Sequence, residues 1–182
     1  MTTECPILIG IFDGFSWIRC EGKGSFLNSP AVKAFGEERI LAGERCLVVD
    51  LAGCTGMDST FMGTLAGMAT RLSSKENGVL QIAQASIRNL RSLEDLGLDF
   101  LMDIDPSEAS WSGELDSIRS RLKPPHTAVL PGASQRANHV LEAHQVLSEA
   151  NEKNARVFSD VIAMLESELA EKQKLDGPPG KS

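Results

Sequence analysis

Leu47-Val48-Val49-Asp50-Leu51-Ala52-Gly53-Cys54-Thr55-Gly56-Met57-Asp58-Ser59-Thr60 is the stretch from which the architecture is read. Its opening belongs to Arg45–Leu51, an apolar run with little alternation, as expected of a strand in the middle of a sheet. A short turn rich in small residues follows. From Ser59 to Arg71, Phe61, Met62, Leu65, Met68, Ala69 and Leu72 form one broad helical stripe. Strand, turn and helix therefore follow one another, with a hydroxyl at the start of the helix.

The pattern repeats outward from this unit. Upstream, Ile7–Phe12 and Phe15–Glu21 are strand-like and flank Asp13-Gly14, a dipeptide that tolerates the positive φ of a tight hairpin. Asn28-Ser29-Pro30 reads as a helix start, with Ser29 able to cap and Pro30 suited to the first turn. Downstream, Asn77-Gly78 precedes a strand at Val79–Ala83. A helix follows at Ile87–Leu96, then a short strand at Phe100–Ile104 and a helix around Glu108–Leu122. Strands separated by helices imply an α/β layered domain, and the opening hairpin makes its sheet mixed.

The organisation expected is a domain over residues 1–122, a linker over 123–133 that begins at Lys123-Pro124-Pro125, a helical extension over 134–174, and a disordered tail over 175–182. The extension has no Gly or Pro, and as a single helix it would run about 60 Å. Val140, His144, Leu147, Asn151, Asn154, Phe158, Val161 and Leu165 alternate four- and three-residue steps, a coiled-coil-like seam with a polar middle. The seam can join a second copy as a homodimer through residues 134–174, or fold back on its own domain. A free single helix would leave it wet.

The strand ending in Asp50-Leu51, the short turn, and Asp58-Ser59-Thr60 opening a helix resemble the STAS domain of anti-sigma factor antagonists and related bacterial regulators. The order of elements on both sides matches as well, so the resemblance spans roughly residues 5–122. It implies an α/β STAS-like mixed sheet with helices, to which this chain adds a long C-terminal helix. It also implies phosphorylation at Ser59, with Thr60 the alternative acceptor. Asp58, Thr60, Phe61 and Gly63 would belong to the motif that meets the partner, and Asn28, in the Gly24–Asn28 loop, to the same face. Many members carry Gly where this chain has Phe61, a bulky residue expected to alter that surface.

By the same resemblance the chain is a cytoplasmic phosphoprotein in a partner-switching pathway of transcription regulation. Unphosphorylated, it would bind a serine-protein kinase that is also an anti-sigma factor, and a serine phosphatase would reset it. The kinase would bring ATP and Mg²⁺, so this chain needs no cofactor of its own. The alternative is a STAS scaffold that assembles a signalling or transport complex through its C-terminal helix, with Ser59 silent. Physical chemistry supports a switch at Ser59. A helix start presents unpaired N–H groups and a dipole that favour an anion, so a phosphate of about −2 charge would change docking without unfolding its carrier.

Other chemistries lack a constellation. The net charge is −7, which gives no basic footprint for nucleic acid or an anionic membrane. No apolar run reaches the roughly 18 residues of a membrane span, and the N-terminus lacks the pattern of a signal peptide. Cys5, Cys20, Cys46 and Cys54 form no CxxC pair and read as reduced thiols. His126, His139 and His144 are expected outside the globular part. The five-residue spacing of His139 and His144 does not suit two metal ligands on one helix face. Neither a catalytic nor a metal-binding set is expected, and the chain is read as a binding protein, not an enzyme.

Overall fold

Asp13-Gly14 turns the chain between β1 (Ile7–Phe12) and β2 (Phe15–Cys20), with Gly14 at a φ of 86°. The two strands pair antiparallel from Ile7 opposite Cys20 to Phe12 opposite Phe15. The computed structural model describes residues 6–126 and 132–175. Cys5, the middle of the expected linker and all but the first residue of the expected tail lie outside the described residues.

β2 pairs parallel with β4 (Cys46–Asp50), β4 with β6 (Val79–Ala83) and β6 with β7 (Asp103–Ile104). The resulting five-stranded mixed sheet has the order β1-β2-β4-β6-β7. The connections are α1 (Ser29–Leu41), α2 (Ser59–Ser73) and α3 (Ile87–Asp95), the last followed by a 3₁₀ turn at Leu98–Leu101. A second, two-stranded parallel sheet joins β3 (Gly22–Gly24) to β5 (Cys54–Met57). Its strands carry three glycines between them and no apolar alternation, so they read as loops in the sequence.

The alternation of β4 divides the interior. Leu47 and Val49 face a core shared with Phe35, Leu65, Leu72 and Leu93 from the helices. Val48 joins Phe15, Trp17, Trp111 and Ile118 in a smaller cluster on the other face. That second face is covered by the segment carrying Trp111 and by α4 (Leu115–Ser120). The helix expected from Glu108 to Leu122 shrinks to α4 because Trp111 turns in to donate its indole N–H to Gln81 Oε1 at 2.7 Å, with Gly113 following. Lys123 exchanges two backbone hydrogen bonds with Ile9 and ties the end of this segment to β1. Cys20, Cys46 and Cys54 are free thiols.

The single C-terminal helix expected from the sequence is two helices, α5 (Ala133–Ala150) and α6 (Glu152–Leu175). Asn151 breaks it with an extended backbone, φ −166° and ψ 166°. Its Oδ1 accepts from the Asn154 N–H at 2.8 Å, which is an N-cap contact for α6. The Nδ2 groups of Asn151 and Asn154 both donate to the Leu96 carbonyl, at 3.0 and 2.8 Å. The polar middle of the seam is therefore a corner pinned to the end of α3. The two helices pack on each other and α5 packs on α2. Leu147 is wholly buried in the main core, with Phe158 against it.

Candidate functional site

The turn between β5 and α2 is held by Asp58. Its backbone is extended, φ −87° and ψ 172°, and its Oδ1 accepts from the Phe61 N–H at 2.8 Å, making it the N-cap of α2. Oδ2 accepts from the Phe26 N–H at 2.8 Å, and the Asp58 N–H donates to the Gly24 carbonyl at 2.9 Å. One carboxylate thus closes the helix and fastens the Gly24–Asn28 loop beside it. Asn28 shapes that loop from its far end, accepting from the Ser25 N–H at 2.8 Å and donating to the Lys23 carbonyl at 2.9 Å. Asn28 is also the N-cap residue of α1, which leaves Ser29 as its first helical residue.

Ser59 is the first residue of α2 and is partly exposed. Thr60 is 4% exposed, so its hydroxyl has little access to any modifying enzyme. Phe61 is wholly buried, contrary to the expectation that it reshapes the outer surface. It points to the core because Gly24 has no side chain. A Cβ on Gly24 would come within 2.8 Å of the Phe61 ring.

His139 and His144, expected outside the globular part, are buried against it. His144 Nε2 lies 2.9 Å from Ser59 Oγ, and its Nδ1 lies 2.7 Å from the Val140 carbonyl. A carbonyl can only accept, so Nδ1 carries a proton, and toward the neutral ring the Ser59 hydroxyl donates to Nε2. The Phe158 ring stands edge-on to the imidazole, with centroids 5.4 Å apart. His139 Nε2 lies 2.7 Å from Ser29 Oγ and 3.4 Å from Thr64 Oγ1, which itself donates to the Thr60 carbonyl. The first residues of α1 and α2 are both serines, and each meets a histidine of α5. Burial lowers the His139 pKa first of all, with Lys33 adding to the shift and Glu142 and Asp58 opposing it.

The helices approach this closely because α2 is small along that side. Gly63 lies under the Ala143 backbone, and a Cβ there would overlap the Ala143 carbonyl. A Cβ on Gly67, one turn on, would meet only Val146 Cγ2 at 3.7 Å. A groove of about 620 Å³ between α1, α2 and α5 is lined by Lys33, Thr64, Arg71, His139 and Glu142 among others, and neither Ser59 nor His144 lines it. A serine beside a histidine can act as a nucleophile and base where a substrate cavity opens on the pair. This pair lies where the first turn of α2 meets α5. Among the described residues no cluster of His, Cys, Asp or Glu could hold a metal ion, and no helix is long and apolar enough to cross a membrane.

Sequence reasoning reached Asp58, Ser59 and the neighbouring loop but missed both histidines. The signal for His144 was its place on the seam between Val140 and Leu147, which marks an inward-facing residue. Which hydroxyl it would meet was set only by the return of the helix.

A mixed sheet with helices, and a candidate site at the first turn of the helix that follows its central strands, define a small α/β domain. The STAS domain model matches residues 7–111, more than half of the chain, and the chain belongs to the STAS domain family. Its fold is similar to an anti-sigma factor antagonist from Mycobacterium paratuberculosis, at 22% identity and a TM-score of 0.50, over 62% of this chain and 92% of that one. A putative anti-sigma factor antagonist from Thermotoga maritima is similar at 17% identity and a TM-score of 0.50, over 61% of this chain and 92% of that one. No curated protein matches the chain by sequence. The family match ends at residue 111, so α5 and α6 lie outside it.

Proposed function

We propose that this chain is a phosphorylation-controlled, non-enzymatic binding protein of the anti-sigma factor antagonist type, with Ser59 as the acceptor. Unphosphorylated, its surface around Asp58, Ser59, Gly63 and the Asn28 loop binds a serine-protein kinase that doubles as an anti-sigma factor. A phosphate on Ser59 ends that binding, and a serine phosphatase restores it. The observation that carries this reading is the position of Ser59. It follows the N-cap Asp58 at the start of α2, within the residues that match the STAS family, and is partly exposed where Thr60 is not. Asp58 already takes the Phe61 and Phe26 N–H groups, so an added phosphate would stand beside a carboxylate that occupies part of the helix start. Its effect is therefore repulsion at the surface, which suits a release signal.

The hydrogen bond from Ser59 to His144 favours a second reading, in which Ser59 anchors α5 and the chain is an unphosphorylated scaffold. Intact and peptide mass spectrometry of the protein from its own cells, beside a Ser59→Ala variant, separates the two. A single phosphate mapped to Ser59 and absent from the variant is expected. An unmodified Ser59 under every growth condition, with partners retained equally by both forms, would leave only the scaffold.

A further inference from the structure

We propose that the α5–α6 hairpin is an intramolecular latch: Ser59 is partly exposed, but its hydroxyl is engaged by α5, and the hairpin must swing away before that hydroxyl can be modified or a protein partner can dock. Four observations support this. His144 takes the Ser59 hydroxyl at 2.9 Å, and its ring is held from behind by the Val140 carbonyl and by Phe158. A phosphoryl group replaces the proton that the Ser59 hydroxyl gives to His144 and brings three further oxygens, so the closed contact as it stands is lost. A kinase must also bring the hydroxyl to about 3–3.5 Å from its phosphoryl donor, and in the closed state that hydroxyl is instead given to His144 at 2.9 Å.

The latch grips the start of α1 as well, through His139 on the buried Ser29 hydroxyl, and Lys33 of α1 pairs with Glu142 of α5. The Ala143 carbonyl covers the backbone of Gly63, so the candidate partner surface on α2 is already occupied by this chain. The far end is pinned apart from the site, by Asn151 and Asn154 on the Leu96 carbonyl.

Closure and phosphorylation are thus mutually exclusive states of one face. By linkage, whatever opens the hairpin raises both the accessibility of Ser59 and the affinity of its partner, and a bound partner or a phosphate holds the hairpin open. The regulatory meaning rests on Ser59 as the acceptor, but the closure does not, and the two can be tested separately.

The full chain carrying Ser59→Cys is treated with N-ethylmaleimide, and alkylation at position 59 is followed by peptide mapping, apart from the native cysteines. Gly63→Ala is added to it, because the new methyl collides with the α5 backbone while alanine favours the α2 helix. Gly67→Ala is the control, since its methyl meets only a side chain in ordinary contact. The latch predicts slow alkylation in the single variant and in the Gly67→Ala background. With Gly63→Ala, alkylation should be at least tenfold faster and amide exchange faster across 133–175, while β4 and β6 stay protected. Equal alkylation in all three backgrounds, or fast alkylation in Ser59→Cys alone, overturns the proposal.

Should Gly63→Ala expose β4 and β6 too, Asn151→Ala with Asn154→Ala opens the hairpin from its remote corner. The same tenfold criterion then applies. Faster labelling in a protein that never carries phosphate in its own cells would keep the latch and remove the phosphorylation reading. Phosphate at Ser59 with no effect of the hairpin variants would do the reverse.

Discussion

At Asp58 a single carboxylate accepts from two backbone N–H groups, one in its own helix and one in the Gly24–Asn28 loop. Replacing it with alanine removes an N-cap and releases the loop. Asp58→Ala should cost about 1–2 kcal/mol in urea unfolding, with α2 fraying at its start in amide exchange. A change under 0.3 kcal/mol would mean that solvent serves these N–H groups equally well. The residue types of this turn were legible because a carboxylate and a hydroxyl before an apolar helical stripe have few other uses. Which of the two caps was not, since either side chain can accept from the first turn. The backbone decided it by placing Asp58 just outside the helix and Ser59 just inside.

Among the elements, α5 is the one whose docking depends on pH. His139 is 8% exposed and faces the Ser29 and Thr64 hydroxyls, with Lys33, Glu142 and Asp58 as the charges that act on it. Burial and Lys33 outweigh the two carboxylates, so its pKa is lowered in the docked state. A depressed histidine pKa means that the neutral ring is the one accommodated. The contribution of His139 to docking is full above its free value of about 6.5 and is lost as pH falls through the lower docked value. Relative to the intrinsic rate, which is itself slower in acid, amide protection across 133–150 should therefore be lower at pH 5.5 than at pH 7.5, and His139→Gln should reduce the difference. Identical protection at both pH values in the wild-type chain would show that protonation of His139 does not disturb the hairpin. The strands β1, β2, β4 and β6 and the helices α1, α2 and α3 were legible from periodicity, with ends shifted by a residue or two. β3 and β5 were not, because their glycines carry no apolar signal and they form strands only by pairing with each other.

Across the whole molecule, Asp50 is the charge that joins the sheet to its second covering layer. It is wholly buried at the end of β4 and accepts from Arg19 of β2 at 2.9 Å, from Arg119 of α4 at 2.9 Å and from the Trp17 indole at 3.3 Å. Burial pushes its pKa up, but the hydrogen bonds from Arg119 and the Ala52 N–H and the charge of Arg19 prevail, and the net shift is downward. Asp50→Asn leaves two arginines facing an uncharged amide. Both are partly exposed, so the cost falls at the low end for a broken buried pair, about 3 kcal/mol in urea unfolding. Loss of less than 1 kcal/mol would show that the arginines serve the surface and not the fold.

Local chemistry sufficed for the alternating elements, the mixed sheet, the family and the hydroxyl at the head of α2, because each rests on residues close together in the chain. Neither the corner at Asn151 nor the position of the hairpin could be read that way. Asn-Glu-Lys-Asn suits a helix start, yet the same asparagines fit a polar coiled-coil seam, and the choice fell to the Leu96 carbonyl, 55 residues away in the chain from Asn151. Ser59 and His144 are 85 residues apart and Ser29 and His139 are 110 apart. Such pairs become neighbours only when an apolar face has closed, since burial is non-directional and selects a partner by shape. Here the shape was the glycine track of α2, which let α5 settle on the one hydroxyl that the sequence had singled out.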